Sequence, residues 1–109
     1  MVDHLQTLMS LQDSKPGFNS CSGYSELNSV LSRYTNALNF FNGYNDDYKK
    51  STKVFYNDLS SIRDNIQRSI NASDPTEKQR SFYNASNELM EDINSLICLV
   101  SPAYVEPVT

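Results

Sequence analysis

Residues 27–66 carry a heptad pattern in which mostly apolar and aromatic side chains recur at alternating spacings of four and three positions. One position of each heptad holds Leu27, Tyr34, Phe41, Tyr48, Phe55 and Ile62, and the other holds Leu31, Leu38, Asn45, Thr52, Leu59 and Ile66. We call these residues the seam. A pattern sustained over this many heptads is typical of helices that pack in a coiled coil or a bundle. The seam therefore predicts an all-α fold.

A second helical stretch begins after a marked turn near residue 72. Asp74 can cap a helix, Pro75 suits the first helical turn, and Glu77 occupies the capping-box position. Apolar side chains then recur at helical spacing, at Phe82, Leu89, Ile93, Leu96 and Val100. This pattern predicts a second long helix that packs against the first.

A short connection between two long helices predicts an antiparallel hairpin. In that hairpin Lys53 faces Asp92, and Arg68 faces Glu77. The expected hairpin domain covers 24–100, with helices over 24–70 and 75–100. Around it we expect a short amphipathic helix over 1–12, a flexible linker over 13–23, and an extended tail over 101–109. The tail contains Tyr104 within the sequence PAYVEP, a candidate linear motif for a partner.

The stretch NFFNGYNDDYKK, residues 39–50, allows two interpretations. Gly43 and the polar residues after it disfavour a helix, and Asn45 could cap a new one, which gives a compact three-helix bundle with a break near Gly43. The seam, however, keeps its phase from Phe41 to Tyr48 and on to Phe55. We favour one continuous helix over 24–70 and retain the broken helix as the alternative.

A continuous helix would project beyond the second helix and leave a wide apolar face to be covered. That face could be covered by the N-terminal helix, by a second copy of the chain, or by another protein. We expect a helical partner or self-association. The predicted partner-binding residues are Leu27, Leu31, Tyr34, Leu38, Phe41, Tyr44 and Asn45.

Composition excludes several classes of function. The net charge of −4, with 20% charged residues, argues against a nucleic-acid binder, which needs a concentrated basic face. No run approaches the ~20 consecutive apolar residues of a membrane helix, so we expect no membrane insertion. The N-terminus has no signal-peptide pattern, which favours the cytoplasm, with the nucleus as the alternative. Cys98 is expected to be a small core residue.

The sequence offers little that could support catalysis. His4 is the single histidine and cannot alone build a metal site or a catalytic triad. The acidic residues near 46–47 and 88–92 are interpreted as solvated helix faces, because they follow no metal-binding pattern. We therefore expect no enzyme activity, no metal, no cofactor and no small-molecule substrate.

These observations predict a non-catalytic α-helical subunit or adaptor that associates with partner helices through the seam in an intracellular assembly. Tethering, trafficking, kinetochore and cytoskeletal assemblies all use such subunits. The alternative is a self-contained three-helix module that binds a protein or peptide. The stretch STKVFYNDL, residues 51–59, resembles a Lys-x-Phe-Tyr-x-x-Leu stretch in the V-shaped domain of ALIX-type trafficking proteins. The resemblance covers fewer than ten residues, and for the three-helix module it implies a setting in membrane trafficking.

Overall fold

The computed structural model describes residues 2–18 and 22–105, with the backbone alone for residues 102–105. This part of the chain is all-helical, as predicted, and contains five helices and no strand. The helices are α1 (Val2–Leu11), α2 (Gly23–Asn42), α3 (Asp46–Ser51), α4 (Lys53–Asn71) and α5 (Pro75–Val105). The molecule is elongated, with principal extents of 56 × 24 × 16 Å.

Helices α4 and α5 pack against each other along their length and run antiparallel. Near the turn, the Ser69 hydroxyl donates to the Lys78 carbonyl at 2.6 Å. Further away, the Ser61 hydroxyl donates to the Glu88 carboxylate at 2.9 Å. The Asp74 carboxylate accepts from the Thr76 N–H at 3.4 Å, as expected for a residue that begins a helix.

The predicted charge pairs across this contact are not those found in the described residues. Glu77 pairs with Arg80 of its own helix at 2.7 Å, and Arg68 donates to Asn65 at 3.2 Å. Asp92 lies beside Asp58 instead of Lys53. The two helices therefore meet in a register a few residues away from the predicted one. Exposed ion pairs are too weak to fix such a register.

The predicted continuous helix over 24–70 is wrong, because α2 ends at Asn42 and α3 begins at Asp46. Asn45 adopts an extended conformation, and its side chain accepts from the Tyr48 N–H at 2.8 Å. This cap satisfies a backbone donor at the start of α3, while glycine and asparagine lower the stability of an unbroken helix. A long hairpin is therefore not confirmed, and neither is a bundle of three helices.

Helix α1 packs against both α2 and α5. It buries Leu5, Leu8 and Leu11, and its N-terminal part lies beside the end of α2, where the His4 ring stacks on Phe40. At its other end, the Gln12 amide donates to the Asn94 side chain at 2.9 Å. Helix α1 therefore covers the wide apolar face of α2, which is one of the three possibilities considered from the sequence.

The segments at the two ends of the domain differ from the predictions. Part of the predicted linker is packed, since Phe18 meets Phe82 edge to face at 5.4 Å and its N–H donates to the Tyr83 hydroxyl. Residues 19–21 lie outside the described residues. Helix α5 continues past Pro102 to Val105, so residues 101–105 of the predicted extended tail are helical. Residues 106–109 of the predicted tail lie outside the described residues.

Candidate functional site

The predicted partner-binding residues do not form one surface. Five of them are at most 7% exposed and belong to the hydrophobic core of the chain: Leu27, Leu31, Tyr34, Leu38 and Phe41. Tyr44 is 49% exposed, and Asn45 is exposed while its side chain caps α3. A partner could reach the five buried residues only if the helices of this chain separated.

Tyr44 belongs to a row of four aromatic rings that runs from α1 across the end of α2 to α3. The His4 and Phe40 rings are stacked with centroids 4.1 Å apart, Phe40 and Tyr44 are 5.8 Å apart, and Tyr44 and Tyr48 are 5.8 Å apart. We call His4, Phe40, Tyr44 and Tyr48 the aromatic ladder. The buried Phe41 ring makes edge contacts with His4, Phe40 and Tyr48 and so connects the ladder to the core.

The ladder is held in place by the connection between α2 and α3. The Gly43 N–H donates to the Asn39 carbonyl at 3.2 Å, and the Tyr44 N–H donates to the Phe41 carbonyl at 3.1 Å. The Thr52 hydroxyl donates to the Asn42 side chain at 3.0 Å and ties the end of α2 to the start of α4. Because its backbone is fixed in this way, Tyr44 loses little conformational freedom when a partner binds.

The ladder is aromatic in character. Burial, and then the neighbouring Tyr44, raise the pKa of Tyr48. Two large apolar side chains of α1, Val2 and Met9, are also exposed. The sequence marked Tyr44 as a binding residue, but it gave His4 no role and did not associate it with Phe40. The contact between them depends on how α1 folds back, which no local pattern reports.

A second unusual site was missed from the sequence. Asp92 was assigned to a solvated helix face, yet it is only 7% exposed. Burial, and then the neighbouring Asp58, Glu88 and Glu91, raise the pKa of Asp92 to about 8. One signal was available in the heptad pattern, since Asp92 follows Ala85 by seven residues on a flank of the second helix's apolar stripe.

Cys98 and Tyr104 complete the set of singled-out residues. Cys98 is exposed, so its predicted place in the core is wrong. The apolar residues near Cys98 occupy more of the circumference of α5 than the buried stripe does, so some of them face outward. Tyr104 lies in the last turn of α5, and its side chain is outside the described residues. Its use as a linear motif stays a prediction.

In the part of the chain that the structure describes, no group of three or more histidine, cysteine, aspartate or glutamate side chains could hold a metal ion. Within the same residues, no helix has both the length and the apolar composition needed to cross a membrane. Comparison with known proteins adds no relative: no family model, no curated protein and no solved structure matches this chain.

Proposed function

We propose that this chain is a non-catalytic, self-contained helical module that binds a helical protein partner through the aromatic ladder. The observation that carries the proposal is Tyr44, a large side chain that is 49% exposed while it packs against Phe40 and Tyr48. Tyrosine is among the residues that contribute most to protein interfaces, since a rigid ring offers a large contact area with few rotatable bonds.

The fixed connection between α2 and α3 supports the same proposal. Asn45 caps α3 and Asn42 accepts from Thr52, so the polar residues around Tyr44 bond within the chain. An exposed aromatic side chain on such a fixed backbone is well suited to binding, because little freedom is lost when a partner covers it. A partner that covers Tyr44 would bury this surface.

The seam-mediated assembly subunit is less well supported than the self-contained module. Binding through Leu31, Leu38 and Phe41 would require α1 to leave the face of α2. Each of these side chains is worth about 2–5 kcal/mol to the core, so their exposure would cost more than most partners could return. The self-contained module needs no such rearrangement.

Affinity capture from cells with three forms of the full chain tests the proposal. Wild type is compared with Tyr44→Ser and with Val54→Ser, a control on α4 where valine is 61% exposed. Val54→Ser should change the free energy of unfolding by less than about 0.5 kcal/mol. Tyr44→Ser should lower it by about 1–3 kcal/mol, because it removes the ring contacts with Phe40 and Tyr48. We expect a protein that is retained by wild type and by Val54→Ser and is lost, by at least tenfold, with Tyr44→Ser.

The opposite pattern would contradict the proposal. If all three forms retain the same proteins in equal amounts, Tyr44 contributes nothing to binding. If Val54→Ser loses the partner and Tyr44→Ser keeps it, the binding surface lies on α4. Circular dichroism spectra of the three forms verify that each has kept its helical fold.

A further inference from the structure

Three acidic side chains of α4 and α5 surround a single buried carboxyl group. Asp92 of α5 is 7% exposed, and Asp58 of α4 lies beside it. Glu88 and Glu91, one helical turn and one residue before Asp92, add negative charge from α5 itself. Burial and neighbouring negative charge both disfavour the charged form of a carboxyl group, so the buried Asp92 is the group expected to keep a proton.

Tyr34 of α2 closes this site from the third side. Its side chain is fully buried, and burial, then the charges of Asp92 and Asp58, raise its pKa. Among the described residues, neither the Tyr34 hydroxyl nor Asp92 Oδ2 has a hydrogen-bond partner. The phenol therefore stays protonated and neutral, and it brings no positive charge to the carboxyl pair.

The site also lacks a compensating cation in the described part of the chain. The ion pair found in the described residues joins Arg80 and Glu77 and does not involve Asp92. Every charged side chain that acts on Asp92 is acidic. Helix α1, which also packs on α5, carries Asp3 and His4, and the His4 ring is stacked on Phe40. A buried carboxylate without a cation is strongly disfavoured, so the stable state of the pair is the one that holds a proton.

We propose that the buried carboxyl group of Asp92 keeps a proton at the α4–α5 contact, and that loss of this proton loosens the packing of α2, α4 and α5 around Tyr34. This carboxyl group then acts as a pH-sensitive latch that is closed at acidic and neutral pH and opens in alkaline solution. This inference is independent of the aromatic ladder, which lies on α1, α2 and α3.

The direction of the pH dependence follows from the pKa of Asp92. Its pKa is about 8 in the folded chain, against an ordinary value of 3.8, so the folded state holds the proton that the unfolded state releases. The contribution to stability is complete below pH 4 and is lost as the pH rises towards 8. Over the steepest part, the folding equilibrium constant should fall by roughly threefold to tenfold for each pH unit.

Urea unfolding of the full chain between pH 5 and pH 9 tests this latch. Three forms are compared: wild type, Asp92→Asn, which imitates the protonated carboxyl, and Asp64→Asn, the same exchange at an exposed position of α4 as a control. We expect wild type and Asp64→Asn to lose stability as the pH rises from 5 to 8. For Asp92→Asn, we expect the folding equilibrium constant to fall at least threefold less per pH unit than it does for wild type. This variant should also be the most stable form at pH 9.

If the free energy of unfolding changes with pH in the same way for wild type and for Asp92→Asn, the proposal is overturned. If Asp92→Asn does not fold, carbon-13 NMR of the side-chain carboxyl in the wild-type chain gives the answer directly. A titration midpoint for Asp92 near pH 8 supports the proposal that its carboxyl group keeps a proton at neutral pH. A midpoint near the ordinary value of an aspartate would contradict it.

Discussion

Helix α4 meets its two neighbours in different ways. Towards α5 the backbones approach closely, and α4 contributes a buried apolar stripe of Phe55, Leu59, Ile62 and Ile66. Towards α2 the backbones lie further apart, and polar side chains reach across the gap. The first contact resembles an ordinary protein core, whereas the second adds individual hydrogen bonds to a shared core.

The α2–α4 contact contains three hydrogen-bonded side-chain pairs. The Tyr24 hydroxyl lies 2.6 Å from the Ser69 hydroxyl, which in turn donates to the Lys78 carbonyl. Tyr24 is therefore the donor of the first bond, because Ser69 has a single hydrogen. Tyr56 donates to Asn39, and Thr52 donates to Asn42. These pairs align α2 antiparallel to α4, but each contributes only about 1 kcal/mol.

The difference explains which parts of the fold could be predicted from the sequence. The apolar stripes of α4 and α5 determine their pairing, so the turn near Asp74 and the start of α5 at Pro75 were predictable from local residues. The seam kept its phase across Gly43 because α2 and α4 both contribute to one core. Shared phase was therefore a sign of a shared core and not of one continuous helix.

The candidate sites were harder to predict, for reasons specific to each. Asn45 was identified as a potential cap, but the choice between cap and seam residue depends on a single hydrogen bond to the Tyr48 N–H. His4 reaches Phe40 only because α1 folds back on α2. Burial of Asp92 beside Asp58 depends on the register of α4 and α5, which shifts with a few residues of error at the turn. Each is a consequence of tertiary packing.

The largest effect is expected from Ile62→Ala, which removes a fully buried side chain on the apolar side of α4. We expect a loss of about 2–5 kcal/mol in the free energy of unfolding, from lost burial and the remaining cavity. Ile70→Ala is the matched control, because the same residue type on the same helix is 45% exposed there. Urea unfolding of both variants measures the difference. Equal losses would mean that α4 does not bury this stripe.

A smaller effect is expected on the polar side, where two tyrosines of α2 differ in their hydrogen bonds. Tyr24→Phe removes the donor to Ser69 and should lower the free energy of unfolding by about 1 kcal/mol. Tyr34→Phe removes a buried hydroxyl without a partner in the described residues, so it should cost nothing or stabilise by up to ~1 kcal/mol. Thermal or urea unfolding at pH 6 compares them. The reverse order would contradict this account of the α2–α4 contact.

The smallest effect is expected from Gly43→Ala, at the break between α2 and α3. Gly43 has φ of −91°, and an added Cβ would meet no atom closer than 3.7 Å. Alanine should therefore stabilise the chain by about 0.4–1 kcal/mol by reducing the freedom of the unfolded state.

Gly23→Ala is the control for this substitution. An added Cβ at Gly23 would lie 2.8 Å from the Gly17 carbonyl oxygen, so the backbone would have to shift. We expect a loss of about 1–3 kcal/mol there. If Gly43→Ala destabilises the chain as much as Gly23→Ala does, the break between α2 and α3 has a different backbone from the one described.

The central claim is that the seam residues of α2 are buried within a single chain. Sedimentation equilibrium of the isolated full chain over a hundredfold range of concentration tests it most directly, with thermal unfolding of the same samples. We predict one species with the monomer mass of 12.4 kDa at every concentration, and a single cooperative unfolding transition that does not depend on concentration. A mass that rises with concentration, or a chain that shows no cooperative transition without a partner, would contradict the claim.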